Sequence, residues 1–174
     1  MQNRKIILNL CTSFDSFIEG KNGEIDWCLT DQDYGMTEFL AGIDTILFGR
    51  KSYEQLLELM PDAFADKKWI VFSKTLNPDS NKHTIINNDP KEVIPELLKE
   101  KGENIWLYGG ASLTSVMLNS NLIDEMIVSI HPVILGAGMP LFKDISSRKN
   151  LILVETQSYS SGLVQLRYKV LKNA

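Results

Sequence analysis

Cysteine and histidine each occur only twice in the 174 residues. No pair has the spacing of a zinc module, and two cysteines make no disulfide framework. Cys11, in an apolar stretch, and Cys28, in a loop, therefore read as free thiols of a cytoplasmic protein, with no metal expected. Positive charge is not in excess either. With 18 Lys and Arg against 22 Asp and Glu the net charge is −4, so no nucleic-acid-binding stripe is expected and any cationic patch is local. No apolar run approaches the length that spans a bilayer. The apolar residues after Arg4 and Lys5, from Ile6 to Leu10, are too few for the core of a signal peptide. Repeats, low-complexity tracts and obvious linkers are missing as well. The whole chain, 1–174, reads as one soluble, untargeted domain, long enough for a continuous core without disulfides or metal.

What the chain does have is glycine at strand-to-helix turns. Ile105-Trp106-Leu107 leads into Tyr108-Gly109-Gly110-Ala111-Ser112, and an apolar-periodic stretch follows. Paired glycines let backbone approach an anion closely, and the first turn of the next helix supplies unpaired N–H groups and the positive end of its dipole. Thr45-Ile46-Leu47-Phe48 ends in Gly49-Arg50-Lys51-Ser52 in the same way. There Arg50 offers a bidentate fork, Lys51 a point charge and Ser52 a hydroxyl, to a phosphate or to the helix itself. Either turn alone fits a purely steric role. Two in one small domain suggest one ligand with several phosphates.

Between these turns, strand-like and helix-like segments alternate. Lys5–Cys11 reads as a buried strand, followed by a long loop rich in Ser, Gly and Asp that reaches Trp27. Thr30, with Asp31 and Asp33 in the first turn, predicts a helix with Met36, Phe39 and Leu40 inside. Ile43–Phe48 predicts a strand, and Tyr53, Leu56, Leu57 and Met60 the buried stripe of the next helix. Lys68–Phe72 and Thr84–Ile86 read as strands, the first ending at Ser73-Lys74. The next helix starts either at Asp89-Pro90 or near Ile94, with Pro95 in its first turn. Asn104–Tyr108 is the strand before the Gly-Gly turn, and Leu113, Val116 and Met117 mark the inner face after it. From Ile123 onward the pattern is strands alone, ending in Leu151–Glu155 and Val164–Val170 joined through Ser160-Ser161-Gly162.

Strands separated by helices, then strands alone, predict an α/β fold with a mainly parallel central sheet, helices on both faces and a C-terminal antiparallel hairpin. Ligands in such sheets bind at the carboxyl ends of the parallel strands. Cys11, Gly49, Ser73 and Gly109 all lie at or just beyond such ends, so four turns face one crevice suited to a dinucleotide.

In order and spacing, Phe48-Gly49-Arg50-Lys51-Ser52-Tyr53, Ser73-Lys74 and Trp106-Leu107-Tyr108-Gly109-Gly110-Ala111-Ser112 resemble the dihydrofolate reductase-like superfamily, with Gly23 to Trp27 similar to its mobile substrate loop. The likeness spans essentially the whole chain. It is closest to the C-terminal reductase domain of the bifunctional riboflavin-biosynthesis deaminase/reductase, through Thr12-Ser13-Phe14-Asp15-Ser16, Ile123-Asp124-Glu125 and the segment Pro132–Phe142. The resemblance implies a three-layer fold and an NADPH-dependent reductase delivering hydride to a pyrimidine- or pteridine-type ring, as in 5-amino-6-(5-phosphoribosylamino)uracil reduction.

Carried over by position, Gly109, Gly110, Ala111 and Ser112 would hold the pyrophosphate. Gly49, Arg50, Lys51 and Ser52 would meet the adenosine half and phosphates, Ser73 and Lys74 the 2′-phosphate, and Cys11 and Thr12 the nicotinamide. Asp15 sits where riboflavin-pathway reductases present an aspartate to a sugar-bearing substrate, or is a turn residue. Trp27 is either a lid over substrate or an anchor for its loop. Dihydrofolate reductases place a carboxylate five residues beyond the loop tryptophan. That position here is Gln32, flanked by Asp31 and Asp33. Those two are the candidate catalytic acids, or simply first-turn carboxylates favoured by the helix dipole. His131, beside Pro132, is either a titrating group or structural. None of the deaminase domain's Cys and His zinc ligands is present, which points to a stand-alone reductase or a paralogue with another substrate. Dihydrofolate reductase itself and a non-catalytic nucleotide-binding regulator are the alternatives. The apolar strand Met126–Ile130, the Pro132–Phe142 segment and the terminal hairpin offer surface for a homodimer.

Overall fold

Apolar runs bounded by glycine or polar turns build the central sheet of the computed structural model, which describes residues 4–78 and 83–172. In chain order the strands are β1 (Ile6–Ser13), β2 (Phe17–Glu19), β3 (Ile43–Gly49), β4 (Lys68–Phe72), β5 (Thr84–Ile86), β6 (Asn104–Gly109), β7 (Glu125–His131), β8 (Met139–Pro140), β9 (Leu151–Ser158) and β10 (Val164–Val170). The helices are α1 (Met36–Ala41), α2 (Arg50–Leu59), α3 (Pro90–Leu97) and α4 (Ala111–Asn119). Eight strands form one sheet in the order β5-β4-β3-β6-β1-β7-β10-β9. Pairing is parallel as far as β7 and antiparallel for β7-β10 and β10-β9. A separate ribbon pairs β2 with β8. No helix among the described residues is long and apolar enough to cross a membrane.

The parallel strands are continuous apolar runs because both faces of the sheet are covered. On one face, Tyr53 and Leu56 of α2, with Met36, Phe39 and Leu40 of α1, pack on Ile46, Phe48, Trp69 and Trp106. On the other, Ile94 and Leu97 of α3 and Leu113 and Met117 of α4 pack on Leu8, Leu47, Ile105 and Leu107. This is the three-layer α/β arrangement expected from the sequence, with the antiparallel hairpin at its C-terminus.

Several local expectations are corrected. The helix expected from Thr30 begins at Met36, because Tyr34 and Gly35 take φ of 52° and 77°, which an α-helix cannot pass through. Asp33 instead accepts from the Thr37 N–H at 3.0 Å and from its hydroxyl at 2.7 Å. Met60 lies beyond the end of α2 and is 53% exposed, so it adds nothing to the stripe. Val116 borders the crevice described below rather than the core. Of the two starts considered for α3, the earlier is adopted: Asp89 accepts from the Lys91 N–H at 2.9 Å, Pro90 opens the helix, and Pro95 is carried within it.

Ion pairs with one buried member each fasten the strands at their amino ends. Arg4 donates to the carbonyls of Glu103 (2.7 Å) and Leu97 (3.3 Å), to Thr45 Oγ1 (3.0 Å) and to the Asp44 carboxylate. Substituting Arg4→Met removes this donor from the Glu103 and Leu97 carbonyls, while Asp44 keeps the Thr45 hydroxyl and the Glu103 N–H. The expected cost is about 2–3 kcal/mol, below a fully buried pair because Asp44 is partly solvated. Thermal unfolding of the variant should show a midpoint lower by roughly 5–10 °C.

Glu125, at the start of β7, accepts from Lys5 Nζ (2.7 Å) and from Arg167 Nη2 (2.7 Å) and Nε (3.0 Å), joining β1, β7 and β10. Burial raises its pKa, but hydrogen bonds and charge from Lys5 and Arg167 outweigh that and hold it below the ordinary carboxylate range. The native state therefore binds this proton less readily than the unfolded chain. The resulting stability is complete above the ordinary Glu pKa of about 4.3 and is lost as pH falls through the lowered native value. Glu125→Gln should be less stable than the parent at pH 7, with the gap closing as unfolding is measured at more acid pH.

Candidate cofactor and active site

The carboxyl ends of β3, β4 and β6 open into a crevice of about 1160 Å³. Gly49, Arg50, Lys51 and Ser52 line it, together with Ser73, Lys74, Gly110, Ala111 and Ser112, so the two glycine turns and the β4 end converge as the strand pattern implies. Helices α2 and α4 start at this wall, behind Gly49 and Gly110, and neither has a side-chain cap. Their first-turn N–H groups and dipoles are thus directed at one space.

The two helix starts approach one another closely at these glycines. A Cβ on Gly110 would stand 2.9 Å from Ser52 Oγ, and one on Gly49 3.5 Å from the Gly109 carbonyl oxygen. Gly109 itself has φ 119°, and its peptide bond to Gly110 is cis. At Gly110 the crevice is faced from the α4 side by backbone without a side chain, which leaves room for an anion such as a pyrophosphate.

Five cationic side chains line the crevice, Lys21, Arg50, Lys51, Lys74 and Lys143, against the acidic Glu19 and Asp89. In a chain of net charge −4 this is the local cationic patch anticipated above. Arg50 is held along its helix by Glu54 at 2.8 Å. Lys51 and Lys74 make no ion pair among the described residues. Ser73 Oγ accepts from the backbone N–H of Thr75 (3.2 Å) and Leu76 (3.0 Å), which turns the chain and brings Lys74 to the rim.

The remaining sequence candidates lie outside this crevice. Thr12 is buried in β1, and Gly109 ends β6 behind the turn. Asp15 fastens the loop after β7, accepting from the N–H groups of Leu135 (3.1 Å) and Gly136 (2.8 Å). Desolvation raises the Asp15 pKa, and hydrogen bonds from Ser13 and these amides more than offset it, leaving the carboxyl below its ordinary value. Asp31 accepts from Tyr34 Oη at 2.5 Å, and that hydroxyl also meets Ser161 Oγ at 2.8 Å. Thr37's hydrogen bonds hold Asp33 below the ordinary carboxylate range, so it is ionised at neutral pH.

Near the end of β1 a second group forms. Trp27 Nε1 donates to the Glu24 carbonyl at 3.1 Å, and its ring meets His131 edge-on, with centroids 5.4 Å apart. Burial pushes the His131 pKa down, favouring the neutral imidazole. Hydrogen bonding with Cys28 lowers the Cys11 thiol, while the same contact and burial push Cys28 up. Burial, then the charges of Cys11 and Cys28, push the Tyr108 phenol up to about 12. Sequence reading missed Lys21 and Lys143 in the crevice and Cys28 beside Cys11. Lys143 belongs to no motif, whereas the unusual length of the first loop was a signal that Lys21 and Cys28 carry more than a connection.

Residues 4–165 match the profile of the RibD C-terminal domain. The uncharacterized protein YyaP of Bacillus subtilis (strain 168) is 46% identical over 180 residues, covering 97% of this chain and 96% of that protein. Among solved structures, a protein of Shewanella sp. PV-4 assigned to riboflavin biosynthesis superposes with a TM-score of 0.87 at 24% identity, over 97% of this chain and 99% of that one. The diaminohydroxyphosphoribosylaminopyrimidine deaminase/5-amino-6-(5-phosphoribosylamino)uracil reductase of Thermotoga maritima superposes with a TM-score of 0.72 at 13% identity, over 96% of this chain and 56% of that one. With the profile running across nearly every residue that builds the sheet and the crevice, the chain belongs to the RibD C-terminal domain family.

Proposed function

We propose that this protein is an NADPH-dependent reductase acting on a pyrimidine- or pteridine-type ring. The observation that carries the reading is the convergence of two uncapped helix starts, α2 and α4, with Lys51 and Lys74 on one crevice at the strand ends. When bound, NADPH supplies the hydride. The protein's part is binding, orientation and exclusion of water. Gly110, Ala111 and Ser112 hold the pyrophosphate through backbone N–H groups. Gly49, Arg50, Lys51 and Ser52 contact the adenosine half, and Ser73 and Lys74 meet the 2′-phosphate. Cys11 and Thr12 border the nicotinamide end, with Trp27 and Asp15 on the substrate side. The proton comes from Asp31, from Asp33 or from a bound water.

A homodimer completes the reading. Strand β9 lies at the sheet edge, and Leu151, Ile152, Leu153 and Val154 are 40%, 49%, 53% and 58% exposed. Four consecutive apolar residues open on both faces of an edge strand need a covering surface, and a second copy provides the same strand in return.

Equilibrium titration of the full chain with NADPH and with NADH, read by nucleotide fluorescence, tests the cofactor assignment. NADPH is expected to bind at least about 10-fold more tightly, from one added charge-assisted contact at Lys74. Equal, negligible binding of both would sink the assignment. A screen of oxidised pyrimidine and pteridine rings for NADPH consumption then tests turnover.

A further inference from the structure

Two thiols and a buried imidazole outside the cationic crevice meet at the ends of neighbouring strands. One ligand atom each from Cys11, Cys28 and His131 lies within 4.8 Å of the others. They arrive by separate routes. Cys11 lies opposite Ser129 in the β1-β7 pairing, two residues before the Ser13-His131 pair, and Cys28 comes from the loop between β2 and α1.

His131 is only 1% exposed. Its Nδ1 stands 3.1 Å from the Ser129 carbonyl oxygen, and Nε2 is buried with no hydrogen-bond partner among the described residues. With the proton on Nδ1 donated to that carbonyl, Nε2 is a bare lone pair, a costly group to bury unless something accepts it. A backbone carbonyl on one ring nitrogen is also how metal-binding imidazoles are oriented. The Trp27 ring edge holds the imidazole from the side. Both cysteines are half-buried and free, so a solvated ion can reach them.

We propose that Cys11, Cys28 and His131 form a Cys2His site for a borderline-soft divalent cation, with Zn²⁺ the best match to the donors and a fourth position left open. Thiolate donors select against Mg²⁺ and Ca²⁺. Tetrahedral zinc at about 2.3 Å from sulfur and 2.0 Å from nitrogen sets its donors roughly 3.5–3.8 Å apart. Closure by about 1 Å, largely from the loop-borne Cys28, reaches that spacing. Each thiol gives its proton to solvent as its bond to the metal forms, with no change in oxidation state. Three protein ligands and one open position are the pattern of reactive rather than structural zinc. The open position admits water, a carbonyl oxygen or a ring nitrogen.

The test uses tag-free, metal-stripped, reduced full-length protein without nucleotide, so its failure leaves the NADPH reading standing and the reverse also holds. Zinc is titrated against a chromogenic chelator, and Co²⁺ is added separately for its absorption spectrum. One zinc per chain is expected, with a thiolate-to-cobalt charge-transfer band and slow reaction of both thiols with a disulfide reagent until EDTA is added. Cys28→Ala, in a loop, should weaken zinc by at least about 100-fold with its circular dichroism unchanged, and His131→Gln should do the same. Absence of zinc binding by the parent, full binding by Cys28→Ala, or a Cys11-Cys28 disulfide that excludes metal would each overturn the proposal.

Discussion

Gly110→Asp is expected to abolish NADPH binding while leaving the protein folded. Gly110 has φ −83° and ψ −161°, a conformation open to any residue, so the substitution adds no backbone strain. Its Cβ would meet Ser52 Oγ at 2.9 Å, and that hydroxyl is the free end of a side chain that can turn aside. The carboxylate then occupies the start of α4, where it is favoured by the helix dipole and repels a pyrophosphate. Juxtaposed like charges cost several kcal/mol, which corresponds to a loss of at least about 100-fold in affinity. Titration followed by fluorescence, beside thermal unfolding, separates the cases. Retained NADPH affinity in a folded variant would mean that the Gly-Gly turn is structural only. Gly110→Ala, which meets Ser52 but adds no charge, should fall between the two and so apportion steric and electrostatic effects.

The double substitution Leu153→Lys with Val154→Lys is expected to convert a dimer into a monomer. Both side chains lie where the pairing of β9 with β10 shifts register, and both are more than half exposed, so neither fills the core. Surface changes of this type usually alter stability by no more than about 0.5 kcal/mol. Charges buried without partners at an interface are far costlier, and dimer dissociation should strengthen by at least about 100-fold. Sedimentation equilibrium of parent and variant over a wide concentration range measures this directly. A parent that is monomeric at every concentration reached would remove the dimer and leave β9 as a bare edge.

The segments that read most clearly were those whose neighbours in sequence also decide their environment. Lys68–Phe72 and Thr84–Ile86 are strands with the expected bounds, and Gly49 and Gly110 stand at the helix starts that the change from apolar run to periodic stretch foretold. Thr30 misled because a hydroxyl followed by carboxylates fits a helix start equally well wherever the backbone then turns. The positive φ of Tyr34 and Gly35 is what delays α1 to Met36. Leu151 to Val154 look like core by composition, yet among the described residues all four stay well exposed. Lys143 could not be tied to the crevice from sequence, since it enters from a segment remote from both glycine turns.

By itself the amino-acid sequence determined the alternation of strands and helices, the glycine turns at the strand ends and the fold those patterns dictate, because each depends on local steric preference and hydrophobic period. Only the tertiary structure decided that Lys21 and Lys143 join Lys51 and Lys74 around one crevice, that Asp15 and Asp33 are engaged by backbone amides, and that Cys11, Cys28 and His131 converge. Those are meetings between residues far apart in the chain, set by strand order and loop path, and no spacing along the sequence encodes them.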